Sequence, residues 1–139
     1  MKNKGLILML MISLSLFGFC SCSDKNTADE TTTAAIKTYE QITPEEAKNI
    51  MDTKTGFVII DARTQAEFDE GHIEGAVLIP EYEITDRAEE EIPDKDTLIL
   101  VYCRSGRRSK IAADALIELG YTNVKEFGGI IDWQYEIVK

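Results

Sequence analysis

Histidine and tryptophan each occur once in this chain of 139 residues, and proline and cysteine three times each. One histidine (His72) and one cysteine beyond residue 22 (Cys103) make no ligand set for a metal ion, so neither a metal nor another cofactor is expected. Basic side chains are also scarce, 15 against 25 acidic, for a net charge of −10. A surface of that sign repels nucleic acid and anionic lipid headgroups, which excludes both as recognition partners. No apolar run reaches the roughly 20 residues of a membrane span. No internal repeat is visible, and the length suits one domain, expected as a monomer.

The first 22 residues do not belong to that domain. Lys2 and Lys4, the apolar stretch Leu6–Phe19 and the ending Phe19-Cys20-Ser21-Cys22 have the order of an export signal. The ending resembles the lipobox of bacterial lipoproteins, which implies cleavage after Ser21 and lipidation of Cys22. An ordinary signal peptide with incidental cysteines and an uncleaved N-terminal anchor are the alternatives. Cleavage leaves 13 basic and 25 acidic residues, a net charge of −12. Residues 23–37, rich in Ser, Thr, Asp and Ala, read as a flexible tether. The expected product is an exported domain over 38–139, lipid-anchored at a bacterial membrane and facing away from the cytoplasm. Its lone thiol is a candidate reactive group.

Within 38–139, strand and helix signals alternate. Tyr39–Ile42 is a short strand candidate. Thr43-Pro44-Glu45-Glu46 starts a helix, with Thr43 as N-cap and Glu46 completing a capping box; Thr64-Gln65-Ala66-Glu67 repeats the pattern and ends near Gly71. Phe57–Ile60 and Leu98–Tyr102 are continuous apolar runs, expected of strands buried on both faces. Ala76–Ile79 reads as a strand closed by Pro80, and Glu83–Glu91 as a charged surface helix. Ser109–Leu119 places Ile111, Ala112, Ala115, Leu116 and Leu119 on one helical face, capped by Gly120. Val124–Phe127 is the last strand, and Gly128-Gly129 leads into a final helix carrying Trp133, which is expected to pack in the core. The alternation predicts an α/β domain with a central, mainly parallel sheet flanked by helices.

Asp61 and Cys103 end the two central strands. Open α/β sheets bind ligands beyond the carboxyl ends of their strands. Cys103 opens the stretch Cys103-Arg104-Ser105-Gly106-Arg107-Arg108-Ser109, with Lys110 following and no acid before Asp114. A turn through Gly106 into a helix lets backbone N–H groups curl around the sulfur, and a helix N-terminus with neighbouring cations favours thiolate over thiol. The result is an anion-holding cup in an acidic protein. Cys103 to Arg108 spans C-x4-R, one residue shorter than the C-x5-R loop of cysteine phosphatases. That tighter loop suits a second sulfur carried on the cysteine better than a phosphate.

Several motifs stand in order: Asp61-Ala62-Arg63 with Glu67-Phe68, then Gly71-His72-Ile73-Glu74-Gly75-Ala76 and Pro80. The cysteine loop and Gly128-Gly129-Ile130-Ile131-Asp132-Trp133 complete the set. Together they resemble the rhodanese family of single-domain sulfurtransferases over about 40–138. Glu74 and Leu78 depart from the family pattern, away from the cup. The resemblance implies a three-layer rhodanese-like domain. It also implies ping-pong transfer of a sulfane sulfur, from thiosulfate or a related donor to a thiophilic acceptor such as cyanide or a thiol, through a Cys103 persulfide.

Arg104 and Arg107 are candidates for holding the anionic donor, while Arg108 is expected to turn inward to Asp61 or Glu67. Ser105 and Gly106 supply amides and turn geometry, and Ser109 either bonds the sulfur or caps the helix. Asp61, Arg63 and Glu67 are expected as a supporting charge network beneath the loop. His72 has a structural hydrogen-bonding role by the same resemblance. Two other readings stand beside the enzyme: a sulfur-carrier or interaction module without significant turnover, and a cysteine phosphatase or arsenate reductase, which the loop length opposes.

Overall fold

A computed structural model describes residues 38–139; the expected signal over 1–22 with Cys22, and the expected tether over 23–37, lie outside the described residues. The strands are β1 (Glu40–Gln41), β2 (Phe57–Asp61), β3 (Ala76–Leu78), β4 (Leu98–Cys103) and β5 (Val124–Gly129). They form one sheet in the order β1-β5-β4-β2-β3, and every pairing is parallel. β4 therefore lies in the middle, with Asp61 of β2 in register with Tyr102 and Cys103 opposite Gly129.

Helices α1 (Pro44–Thr53), α2 (Gln65–Glu70), α3 (Ile84–Glu91) and α4 (Arg107–Glu118) follow their strands. Both capping boxes form. Thr43 accepts the Glu46 N–H, and Thr64 the Glu67 N–H, while each glutamate accepts from its own cap's backbone N–H. These reciprocal bonds satisfy donors that the first helical turn leaves unpaired. At the other end of α4, Gly120 has φ +94°, where a side chain would be strained, and the Tyr121 N–H returns to the Leu116 carbonyl.

Side-chain alternation along β4 divides the core. Ile99, Val101 and Cys103 face one layer with Ile60, Ala88, Ala112, Ala113 and Leu116. Leu100 and Tyr102 face the other, with Ala47, Ile59, Ile73 and Phe127. Every residue from Ile99 to Cys103 is buried, as expected of a central parallel strand, whereas Phe57 and Val58 of β2 are only half-buried.

Two expectations need correction. The buried face of α4 runs through Ser109, Ala112, Ala113 and Leu116, and Ile111 is exposed. These four positions keep the i, i+3, i+4, i+7 spacing, and on that face Ile111 falls on the opposite side of the helix. The final helix carrying Trp133 is also absent. Ile130–Asp132 makes a single 3-10 turn, and Trp133 leaves it in extended conformation. The tail then pairs Val138 with His72 in an antiparallel bridge. Trp133 still packs, half-buried, against the core cluster around Phe127, with Tyr135 on its other side.

Candidate active site

Cys103 sits at the carboxyl end of β4 and is 1% exposed. The chain turns through Arg104, Ser105 and Gly106, whose φ of +90° is the left-handed conformation that glycine adopts without strain. The Gly106 N–H then points back at Cys103 Sγ, at 3.1 Å. Burial pushes the Cys103 thiol up. The Ser109 hydroxyl and the Ser109, Ser105 and Gly106 amides outweigh it and hold the thiol below its ordinary value. α4 aims its N-terminus at the same sulfur, and its dipole adds to that preference for thiolate.

The loop is pressed into shape by the end of β5. The β4–β5 register shifts between Val101 and Cys103, so that Cys103 lies opposite Gly129. A Cβ on Gly129 would stand 2.2 Å from the Arg104 carbonyl oxygen and 2.6 Å from Ser105 Cα, both backbone atoms that cannot swing away. Only glycine fits there. The Ile131 N–H donates to the Arg104 carbonyl at 3.3 Å and ties the next turn to the loop.

The arginines divide. Arg108 turns inward and pairs with Glu67, not Asp61: Nη1 and Nη2 each donate to one carboxylate oxygen at 2.7 Å. The paired guanidinium, assisted by Thr64, holds the Glu67 carboxyl down to about 2 against the effect of burial. Glu67 therefore completes the α2 cap and anchors the cysteine loop at once. Arg104 and Arg107 are exposed to solvent, and neither has an ion-pair partner among the described residues.

Asp61 and Arg63 do not join Glu67 in one network. Arg63 Nη2 donates to Asp61 Oδ2 at 2.6 Å and to the Gly71 carbonyl at 2.8 Å; Arg63 Nε reaches both carboxylate oxygens. The Tyr102 hydroxyl donates to Asp61 Oδ2 at 2.5 Å, and burial beside that carboxylate pushes the phenol far up. This group lies on the face of the sheet opposite the sulfur, since Tyr102 and Cys103 alternate. His72 bonds the Phe68 carbonyl through Nδ1 and stacks on the Phe68 ring.

Two residues at the site escape sequence reasoning. Gly129 reads there as turn punctuation. Within the expected strand Val124–Phe127 no role falls to Glu126, yet it is 2% exposed and accepts the Ser109 hydroxyl at 2.6 Å. Its only sequence signal is its period-2 relation to Val124, which puts it on the layer that α4 covers.

Comparison with known proteins agrees with this architecture. A rhodanese-like domain model matches residues 43–136. Thiosulfate sulfurtransferase PspE of Escherichia coli is 40% identical over 73 residues, which cover 52% of this chain and 70% of that protein. A sulfurtransferase of Allochromatium vinosum is 38% identical over 88 residues, 63% of this chain and 79% of that protein. Among solved structures, a rhodanese with anions from E. coli has a TM-score of 0.56 at 38% identity, covering 59% of this chain and 96% of that one. The thiosulfate sulfurtransferase of Pseudomonas aeruginosa reaches 0.66 at 28% identity, with 72% of this chain and 20% of that one covered. The chain belongs to the rhodanese-like domain family, a family of sulfurtransferases.

Proposed function

We propose that the protein is a rhodanese-type sulfurtransferase that carries sulfane sulfur as a persulfide on Cys103. The observation that carries the reading is the cup itself: a buried sulfur facing the Gly106 amide at 3.1 Å, with its thiol held low. The thiolate attacks the outer sulfur of thiosulfate; the new S–S bond forms as the donor's S–S bond breaks, and sulfite leaves with the electron pair. The cup then holds Cys103–S–S⁻, a terminal anion at the end of a helix dipole. Cyanide or a thiolate attacks that outer sulfur and regenerates the Cys103 thiolate. Arg104 and Arg107, exposed and without an ion-pair partner among the described residues, attract the doubly charged donor and hold its sulfonate. Arg108 is committed to Glu67 and keeps the loop in place. An exported, lipid-anchored location rests on residues 1–22 alone and is part of the proposal.

The test is intact-mass spectrometry of the protein before and after thiosulfate, beside Cys103→Ser. A gain of one sulfur atom in the wild type only, removed by cyanide with thiocyanate formed, supports the reading. No gain from thiosulfate or from a persulfide donor overturns it.

A further inference from the structure

A cavity of about 840 Å³ opens between α1, β2 and the C-terminal tail, and sulfur transfer at Cys103 makes no use of it. It lies on the face of the sheet opposite the sulfur. Its floor is apolar, made by Phe57 and Ile59 of β2 and by Ile73. Polar groups are confined to a few charged side chains. A concave, mostly apolar space of this size with a few polar groups is the usual form of a small-molecule site.

Two aromatic rings of the tail form one wall. The Trp133 and Tyr135 centroids lie 4.9 Å apart at 67°, so the rings meet edge to face. The Trp133 Nε1–H donates to the Glu136 carbonyl at 3.3 Å and fixes the tail beside the rings. Aromatic faces attract ammonium groups, and cages of such faces recognise quaternary ammonium ligands. One contact of this kind already exists here, because Lys48 Nζ stands 5.6 Å from the Tyr135 centroid. Lys48 is paired with Asp52, one helical turn on, and so does not offset the other acids of the lining. Those acids are Glu74 and Glu136. Both are exposed, and neither has an ion-pair partner among the described residues. Glu74 is also one of the two positions at which the sequence departs from the rhodanese pattern, away from the cysteine cup.

We propose that this cavity binds a small organic ammonium ion that carries an apolar body. The body rests on Phe57, Ile59 and Ile73, the head group meets the aromatic wall, and Glu74 and Glu136 balance its charge. An anion of the same size is repelled by both carboxylates and by a net charge of −10. Binding involves no covalent step and does not depend on Cys103.

Trp133 is the only tryptophan, so its fluorescence reports on this wall alone. The test is a titration of the full chain with benzyltrimethylammonium at low salt, beside benzyl alcohol, which keeps the ring and lacks the charge. The cation should give a saturable change with a dissociation constant near or below about 1 mM, and benzyl alcohol should bind at least about tenfold more weakly. Glu74→Gln with Glu136→Gln should weaken the cation about tenfold and leave benzyl alcohol unchanged. Tyr135→Leu should also weaken the cation. All the substituted positions are exposed, and equal urea midpoints confirm that each variant is folded. No saturable change by about 10 mM overturns the proposal. So does equal affinity for the two probes, or a cation affinity that survives both the double substitution and Tyr135→Leu. The same titration on Cys103→Ser should match the wild type, so failure of sulfur loading and failure of this site are separate results.

Discussion

Adjacent central strands β2 and β4 both end in a buried acidic group, and the molecule treats the two in opposite ways. Asp61 is closed off by Arg63, which reaches both carboxylate oxygens, and by the Tyr102 hydroxyl, so its charge is balanced inside the protein. Cys103 is equally buried but meets dipoles: amides, a hydroxyl and a helix end. Arg108 is bound to Glu67, while Arg104 and Arg107 are exposed and have no ion-pair partner among the described residues. A charge neutralised from within is structural. A sulfur held mainly by dipoles, with exposed arginines in the same loop, is the arrangement that the proposed transfer from an anionic donor calls for.

Breaking the closed pair should cost the most stability. Arg63→Leu strands Asp61 in the core with only the Tyr102 hydroxyl and a backbone N–H, an uncompensated buried charge of about 3–5 kcal/mol. Urea unfolding should show that loss while the midpoint of Cys103 alkylation stays near the wild-type value. A large shift of that midpoint would mean that the two groups are not separate. Gly129→Ala should do the reverse in kind. Its Cβ collides with Arg104 and Ser105 backbone, so the loop must move away from the sulfur, at about 1–3 kcal/mol. Here the alkylation midpoint should rise, because the Gly106 amide no longer faces Sγ.

The strands, both capping boxes and the cysteine loop were legible because each depends on local pattern: continuous apolar runs, Thr-x-x-Glu spacing, a glycine three residues after a cysteine. The site's supports were less so. Glu126 lies between Lys125 and Phe127 on a strand whose partner faces depend on β1, β4 and α4 together, and no local rule says that α4 will cover it. Gly129 matters only because a register shift brings it beneath Arg104. The buried face of α4, Ser109, Ala112, Ala113 and Leu116, keeps the helical period but starts from a serine and is turned away from the apolar stripe, which leaves Ile111 on the far side. Trp133 failed to extend a helix because its 3-10 turn ends one residue earlier and the tail pairs with His72 instead.

Loop anchoring should show in acid. Glu67 has its carboxyl held at about 2 in the fold against an ordinary 4.5, so the Arg108 pair contributes stability that is complete above 4.5. That contribution is lost as pH falls from 4.5 toward 2, where Glu67 protonates in the folded state as well. Glu67→Gln should therefore lower stability by about 2 kcal/mol at neutral pH, and the gap to the wild type should close across that window. A gap independent of pH would assign the loss to the α2 cap rather than to the ion pair.

The smallest effect on the fold should come from Arg104 and Arg107, and it sharpens the contrast most. Neither has an ion-pair partner among the described residues, so Arg104→Gln and Arg107→Gln should leave the urea midpoint within error. Each should instead raise KM for thiosulfate about tenfold, the equivalent of about 1.4 kcal/mol of donor binding. Added salt should weaken the wild type toward the variants, because the attraction is exposed and screened over about 10 Å at moderate ionic strength. If both substitutions left KM and its salt dependence unchanged, the amides of the cup would be sufficient to hold the donor, and the basic rim would serve only to offset the protein's own negative charge.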